Sequence, residues 1–122
     1  MKILVVEDEP ASLKLAHLVL TSDGHEVAKA EAVDKAIDEI GKSEPEVILL
    51  DLELPKIGGL ALARKLKSDP GRKHIVIVAV TAYPEHFPRE QALAAGCDAY
   101  IVKPINTRNL TAQVTHAVEQ QK

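Results

Sequence analysis

With 122 residues and 46% apolar side chains, the chain suits one domain that buries about two-thirds of its unfolded surface without metal or disulfide staples. A net charge of −3 and only three aromatics (Tyr83, Phe87 and Tyr100) argue against a nucleic-acid surface built on basic patches or stacking platforms. The single Cys97 excludes an internal disulfide and fits a reducing compartment; with no leader pattern and no bilayer-length apolar stretch, the expected location is the cytoplasm, away from membranes.

The first strand, Ile3 to Val6, runs into Glu7-Asp8. Pro10 suits the first turn of a helix that extends to Ser22 and is closed by Asp23-Gly24. Glu26 to Ala30 is a short second strand, expected at an edge because Val27 is its only large aliphatic residue. Ala32, Val33, Ala36, Ile37 and Ile40 then mark an amphipathic helix without an obvious N-cap, ended by Gly41. Pro45 introduces the third strand, Val47 to Leu50, which runs into Asp51.

Pro55 and Gly58-Gly59 form the next loop. Leu60, Leu62, Ala63 and Leu66 mark a third helix ending near Asp69-Pro70-Gly71. Ile75 to Val80 is the fourth strand and runs into Thr81. After a loop holding Pro84 and Pro88, Arg89 to Ala95 form a short, alanine-rich helix ended by Gly96. With one large aliphatic residue, Leu93, it is the least firmly packed. A fifth strand, Ala99 to Val102, ends at Lys103-Pro104. Asn106 or Thr107 caps the last helix, whose Leu110, Val114, Ala117 and Val118 face inward.

Unbroken aliphatic runs bounded by turn signals are the mark of strands buried on both faces, and so of a parallel sheet covered by helices. Five strands alternating with helices imply right-handed βαβ crossovers in a three-layer α/β sandwich. In such sheets ligands bind beyond the carboxyl ends of the strands, and all four polar endings fall on that edge. If the first and third strands are neighbours, Glu7, Asp8 and Asp51 converge there. Crowded carboxylates repel and raise one another's pKa, and hard oxygen ligands select Mg²⁺, Mn²⁺ or Ca²⁺ to neutralise them. Lys103 is a point charge suited to a phosphoryl oxygen, and Thr81 supplies one hydroxyl donor. Taken singly, each has an ordinary reading: the acids as loop starters, Thr81 as a strand residue, Lys103 as an ion-pair partner. The five histidines are scattered without a ligand pattern.

Glu7-Asp8, Asp51, Thr81-Ala82 and Lys103-Pro104, each closing a strand, together resemble the receiver domain of two-component response regulators, and the resemblance runs from Lys2 to about Gln120. It implies a doubly wound, flavodoxin-like fold with strand order 2-1-3-4-5, five helices, and residues 1–122 as a single receiver domain without an output domain. Asp51 is the implied phosphoacceptor. Asp8, Asp51 and the backbone carbonyl of Glu53 would hold Mg²⁺, joined by Glu7 through a metal-bound water. Lys103 would pair with a phosphoryl oxygen. Thr81 would swing toward the new group, Ala82 would leave the site open, and Tyr100 would turn inward as the switch aromatic. The Lys103-Pro104 bond is usually cis in this family. Leu54 stands where methionine is common, and Glu53 and Tyr83 occupy positions that tune phosphoryl lifetime.

The function implied is a phosphorylation-activated switch of a two-component system or phosphorelay. It takes phosphate from a histidine kinase or phosphotransfer protein and signals to a downstream protein through the face of the fourth helix, fifth strand and fifth helix. It catalyses only its own phosphorylation and dephosphorylation, as a monomer or a phosphorylation-dependent dimer. Two other readings compete. One is a phosphohydrolase with an aspartyl nucleophile, in which Glu53 would be the second acid, although no cap insertion is present. The other is a degenerate receiver that binds partners without phosphorylation, against which the full set of site residues counts.

Overall fold

The computed structural model describes residues 1–55 and 58–121. Five strands and five helices alternate: β1 (Lys2–Val6), α1 (Pro10–Ser22), β2 (Glu26–Ala30), α2 (Val33–Lys42), β3 (Val47–Asp51), α3 (Gly58–Ser68), β4 (Val76–Thr81), α4 (Arg89–Ala94), β5 (Ala99–Val102) and α5 (Leu110–Gln120). The strands form one parallel sheet in the order β2-β1-β3-β4-β5, with β2 at an edge as its weak apolar content implies.

The pleat sends alternate residues to opposite faces, and each face builds its own core. Leu4, Val6, Ile48, Leu50, Ile77 and Ala79 pack beneath α2, α3 and α4. Ile3, Val5, Val47, Leu49, Val78 and Val80 pack beneath α1 and α5. Every residue of β3 and β4 is buried, which is why these strands read as unbroken runs rather than as alternations.

Local chemistry sets the element ends. Pro10 opens α1, and the Glu9 carboxylate caps it by accepting the N–H groups of Ala11 (3.2 Å) and Ser12 (2.6 Å). Asp23 and Gly24, the latter at φ +89°, close it as expected. The α2 N-terminus has no side-chain cap, also as expected, but the helix continues one residue past Gly41 to Lys42. Gly58 and Gly59 open α3 instead of lying in the loop before it. A Cβ on Gly59 would lie 2.6 Å from the Asp51 carbonyl oxygen, so a residue without a side chain lets α3 start hard against the end of β3.

The expected cap of the last helix needs correcting. Asn106 caps a turn rather than α5 itself: its Oδ1 accepts the Arg108 N–H (2.9 Å) and its carbonyl accepts those of Asn109 and Leu110. Thr107 lies inside that turn, and α5 begins at Leu110 with no side-chain cap. The short α4 packs through Ala92 and Ala95, while Leu93, its one large aliphatic residue, is 42% exposed. Leu15 and Leu18 of α1 also face outward.

At the amino edge of the sheet a latch ties α3, β4 and β5 together. Lys67 Nζ donates to the carbonyls of Lys73 (3.1 Å) and Ile75 (2.8 Å) and to Asp98 Oδ2 (2.9 Å). Asp98 Oδ2 also accepts the Ile77 N–H at 2.8 Å. Gly96, at φ +104°, makes room for this lysine, since a Cβ there would meet its Cγ at 2.5 Å.

Candidate functional site

Strand register brings the polar strand ends together. Val6 pairs with Leu50, which sets Glu7 beside Asp51. Asp51 pairs with Val80 and Thr81 with Val102, so Thr81 and Lys103 close the same edge from the other side. The Lys103 N–H donates to the Thr81 carbonyl at 2.8 Å, and the Lys103–Pro104 peptide is cis.

One carboxylate oxygen from each of Glu7, Asp8 and Asp51 lies within 4.8 Å of the others. Glu7 and Asp51 are buried and Asp8 is exposed at the mouth. Lys103 Nζ donates to Glu7 Oε1 at 2.6 Å and stands 3.6 Å from Asp51 Oδ2. Glu7 Oε2 accepts the Glu9 N–H (3.2 Å), and Asp51 Oδ1 accepts the Glu53 N–H (3.0 Å). Thr81 is fully buried and its Oγ1 accepts the Tyr83 N–H at 2.9 Å.

Three acids facing one ammonium cannot all ionise freely. Burial and the adjacent Glu7 push Asp51 up to about 7, against the Glu53 N–H and the Lys103 charge. Burial also works to raise Glu7, but hydrogen bonds with Asp51 and Lys103 outweigh it and hold its carboxyl low. Lys103 goes up: burial disfavours its charge, but the hydrogen bond to Glu7 and the nearby carboxylates more than compensate. The two buried acids titrate as a pair that keeps a proton up to near neutrality. A donor set made wholly of hard oxygens, crowded enough to retain a proton near neutrality, fits a small divalent cation. A cation entering there would displace that proton.

Tyr100 is half-buried against the α4 side of the core, and its hydroxyl donates to the Phe87 carbonyl. Burial, with the carboxylates of Glu53, Glu90 and Glu85 after it, pushes its phenol up. Ala82 is exposed and leaves the rim open. The Ala82 N–H is nevertheless engaged, donating to Glu53 Oε1 at 2.8 Å. Glu53 was expected to contribute its carbonyl and to tune lifetime; the reach of its side chain across the site was not foreseen. The only sequence signal is an acid two residues beyond Asp51.

The response regulator receiver domain model matches residues 3–115. The chain is 34% identical over 104 residues to the polar-differentiation response regulator DivK of Brucella ovis, covering 85% of each chain, and equally so to DivK of Brucella anthropi. A CheY-like response regulator receiver domain protein from Methanospirillum hungatei superimposes with a TM-score of 0.88 at 30% identity, covering 98% of this chain and 94% of that one. NtrX from Brucella abortus gives a TM-score of 0.90 at 27% identity, with 98% of this chain matching 27% of that one.

Proposed function

The chain belongs to the response regulator receiver domain family, and on that premise we propose that Asp51 is its phosphoacceptor, served by Mg²⁺ and Lys103. Membership makes it the phosphoacceptor signalling switch of a two-component system, a regulatory domain rather than an enzyme turning over a separate substrate. Receiver domains work with histidine kinases or phosphotransfer proteins upstream and with target proteins downstream. Among the described residues no helix is long and apolar enough to cross a membrane; we assign the domain to the cytoplasm.

The phosphodonor is a phosphohistidine of a kinase or phosphotransfer protein. An Asp51 oxygen attacks phosphorus in line, and the phosphorus–nitrogen bond breaks with its electron pair left on the imidazole. Asp8, Asp51 and the Glu53 carbonyl would hold Mg²⁺, with Glu7 as a further acid beside it. Bound there, Mg²⁺ neutralises phosphoryl charge. Lys103, now on Glu7 and 3.6 Å from Asp51, transfers to a phosphoryl oxygen. The Thr81 hydroxyl donates to another, and small Ala82 keeps the approach open. Water attack on the same phosphorus returns the domain to its resting state.

Thr81 and Tyr100 carry the change outward. Tyr100 borders a groove of ≈ 470 Å³ between β5 and α5, shared with Arg89, Gln113 and His116, and Val102 is exposed close by. We assign target binding, or dimerisation on phosphorylation, to this α4-β5-α5 face.

The observation that carries the reading is three carboxylates within 4.8 Å of one another, with a lysine 3.6 Å from the innermost. Incubation with Mg²⁺ and a small acyl phosphate tests it by intact mass. We expect a gain of one phosphoryl group that EDTA abolishes and Asp51→Asn prevents. No gain in the wild type overturns the assignment, and rapid turnover of many phosphate esters without a stable adduct supports a hydrolase instead.

A further inference from the structure

We propose that Glu53 is a built-in competitor of the phosphoryl group: its carboxylate occupies the Ala82 N–H, and phosphorylation of Asp51 must displace it. The inference rests on Asp51 being the phosphoacceptor.

Donors at this edge are few, and their commitments differ. The Glu53 N–H already serves Asp51, and the Tyr83 N–H serves Thr81 Oγ1. Lys103 is held by Glu7. The Ala82 N–H follows the end of β4, next to the strand that ends in Asp51, and points to Glu53 Oε1. An anion on Asp51 adds about two negative charges beside Glu7 and Asp8, so it needs every donor within reach. The Ala82 N–H is the backbone donor held by a carboxylate other than those of Glu7, Asp8 and Asp51.

The way Glu53 is held also points to displacement. Among the described residues, its Oε2 is the one buried side-chain oxygen without a hydrogen-bond partner. A buried carboxylate oxygen without a donor is costly, and a tie serving only to join two loops would be better satisfied. The Glu53 charge is felt by both Lys103 and Tyr100, helping to raise the pKa of each. Like charge expels Glu53 when the phosphoryl group arrives, and the Ala82 N–H passes to a phosphoryl oxygen.

Beryllium fluoride, whose BeF₃⁻ accepts a carboxylate oxygen as its fourth ligand, tests this with saturating Mg²⁺. Binding is followed by the Ala82 amide resonance in the wild type, Glu53→Ala, Glu53→Gln and Asp51→Asn. We expect Glu53→Ala to bind about ten- to a hundredfold more tightly than wild type, the worth of one charged hydrogen bond. Glu53→Gln, which keeps an acceptor but no charge, should fall between them, and the wild-type Ala82 resonance should shift on binding. Equal or weaker binding by Glu53→Ala overturns the inference, and weaker binding with a lower melting temperature identifies a loop tie. Asp51-dependent binding by the wild type without any Glu53 effect sinks the competitor alone. Failure of the wild type to bind sinks the Asp51 assignment as well.

Discussion

Replacing Asp51 by asparagine should make the metal-free protein more stable at pH 8, although it removes the proposed phosphoacceptor. Asp51 rises from an ordinary 3.8 to about 7 because it is buried beside Glu7. A folded-state pKa above the unfolded value means that the native state holds the proton more tightly. The penalty is absent below about pH 4, grows through the interval from 3.8 to about 7, and is complete above it. At about 1.4 kcal/mol per pKa unit, the full shift corresponds to about 4 kcal/mol. Asparagine keeps an acceptor for the Glu53 N–H (3.0 Å) but loses Lys103 at 3.6 Å, and Glu7 shares in the titration. A net gain of about 1–3 kcal/mol remains, or several degrees in melting temperature for a domain of this size. Urea or thermal melts in EDTA at pH 8 and pH 5 provide the assay. The difference should shrink at pH 5. Mg²⁺ at a hundred times its Kd should stabilise the wild type by about 2.7 kcal/mol and leave the variant nearly unmoved. A variant less stable than wild type at pH 8, or equal Mg²⁺ stabilisation of both, would refute the crowded-carboxylate argument.

Three further outcomes follow from the packing. Asp98→Ala leaves Lys67 and the Ile77 N–H without their shared acceptor, so urea denaturation should show a loss of about 2–4 kcal/mol; a loss under 0.5 kcal/mol would mean that the latch carries no weight. Gly59→Ala puts a methyl group 2.6 Å from the Asp51 carbonyl, and should cost about 1–3 kcal/mol and slow phosphorylation by shifting the end of β3. Burial holds the Cys97 thiol up at about 11, so at pH 8 a thiol reagent should modify it promptly only in denaturant; fast labelling of the native protein would contradict its place in the core.

The sheet was legible because its three central strands are buried on both faces, and Ile3 to Val6, Val47 to Leu50 and Ile75 to Val80 declare this as unbroken aliphatic runs. The site was legible for the same reason: where a buried run stops, its first polar residue marks the strand's carboxyl end, and parallel strands share that edge. Side-chain direction within short elements was harder to read. Leu93 is the largest aliphatic of α4, yet the helix rests on the sheet through Ala92 and Ala95, one turn apart. Leu15 and Leu18 likewise point outward from a helix that is apolar on more than its inner face. The Lys67–Asp98 latch joins residues 31 apart in sequence, and the Glu53–Ala82 bond joins two loops. Neither pattern has a period or motif to announce it, because each depends on where the folded loops meet.

The most direct test is to locate the phosphoryl group after reaction with an acyl phosphate and Mg²⁺. Borohydride converts an aspartyl phosphate to homoserine, and peptide sequencing by mass should find that change at residue 51 alone. Modification at Glu7, Asp8, Glu53 or a histidine, with residue 51 intact, would contradict the account.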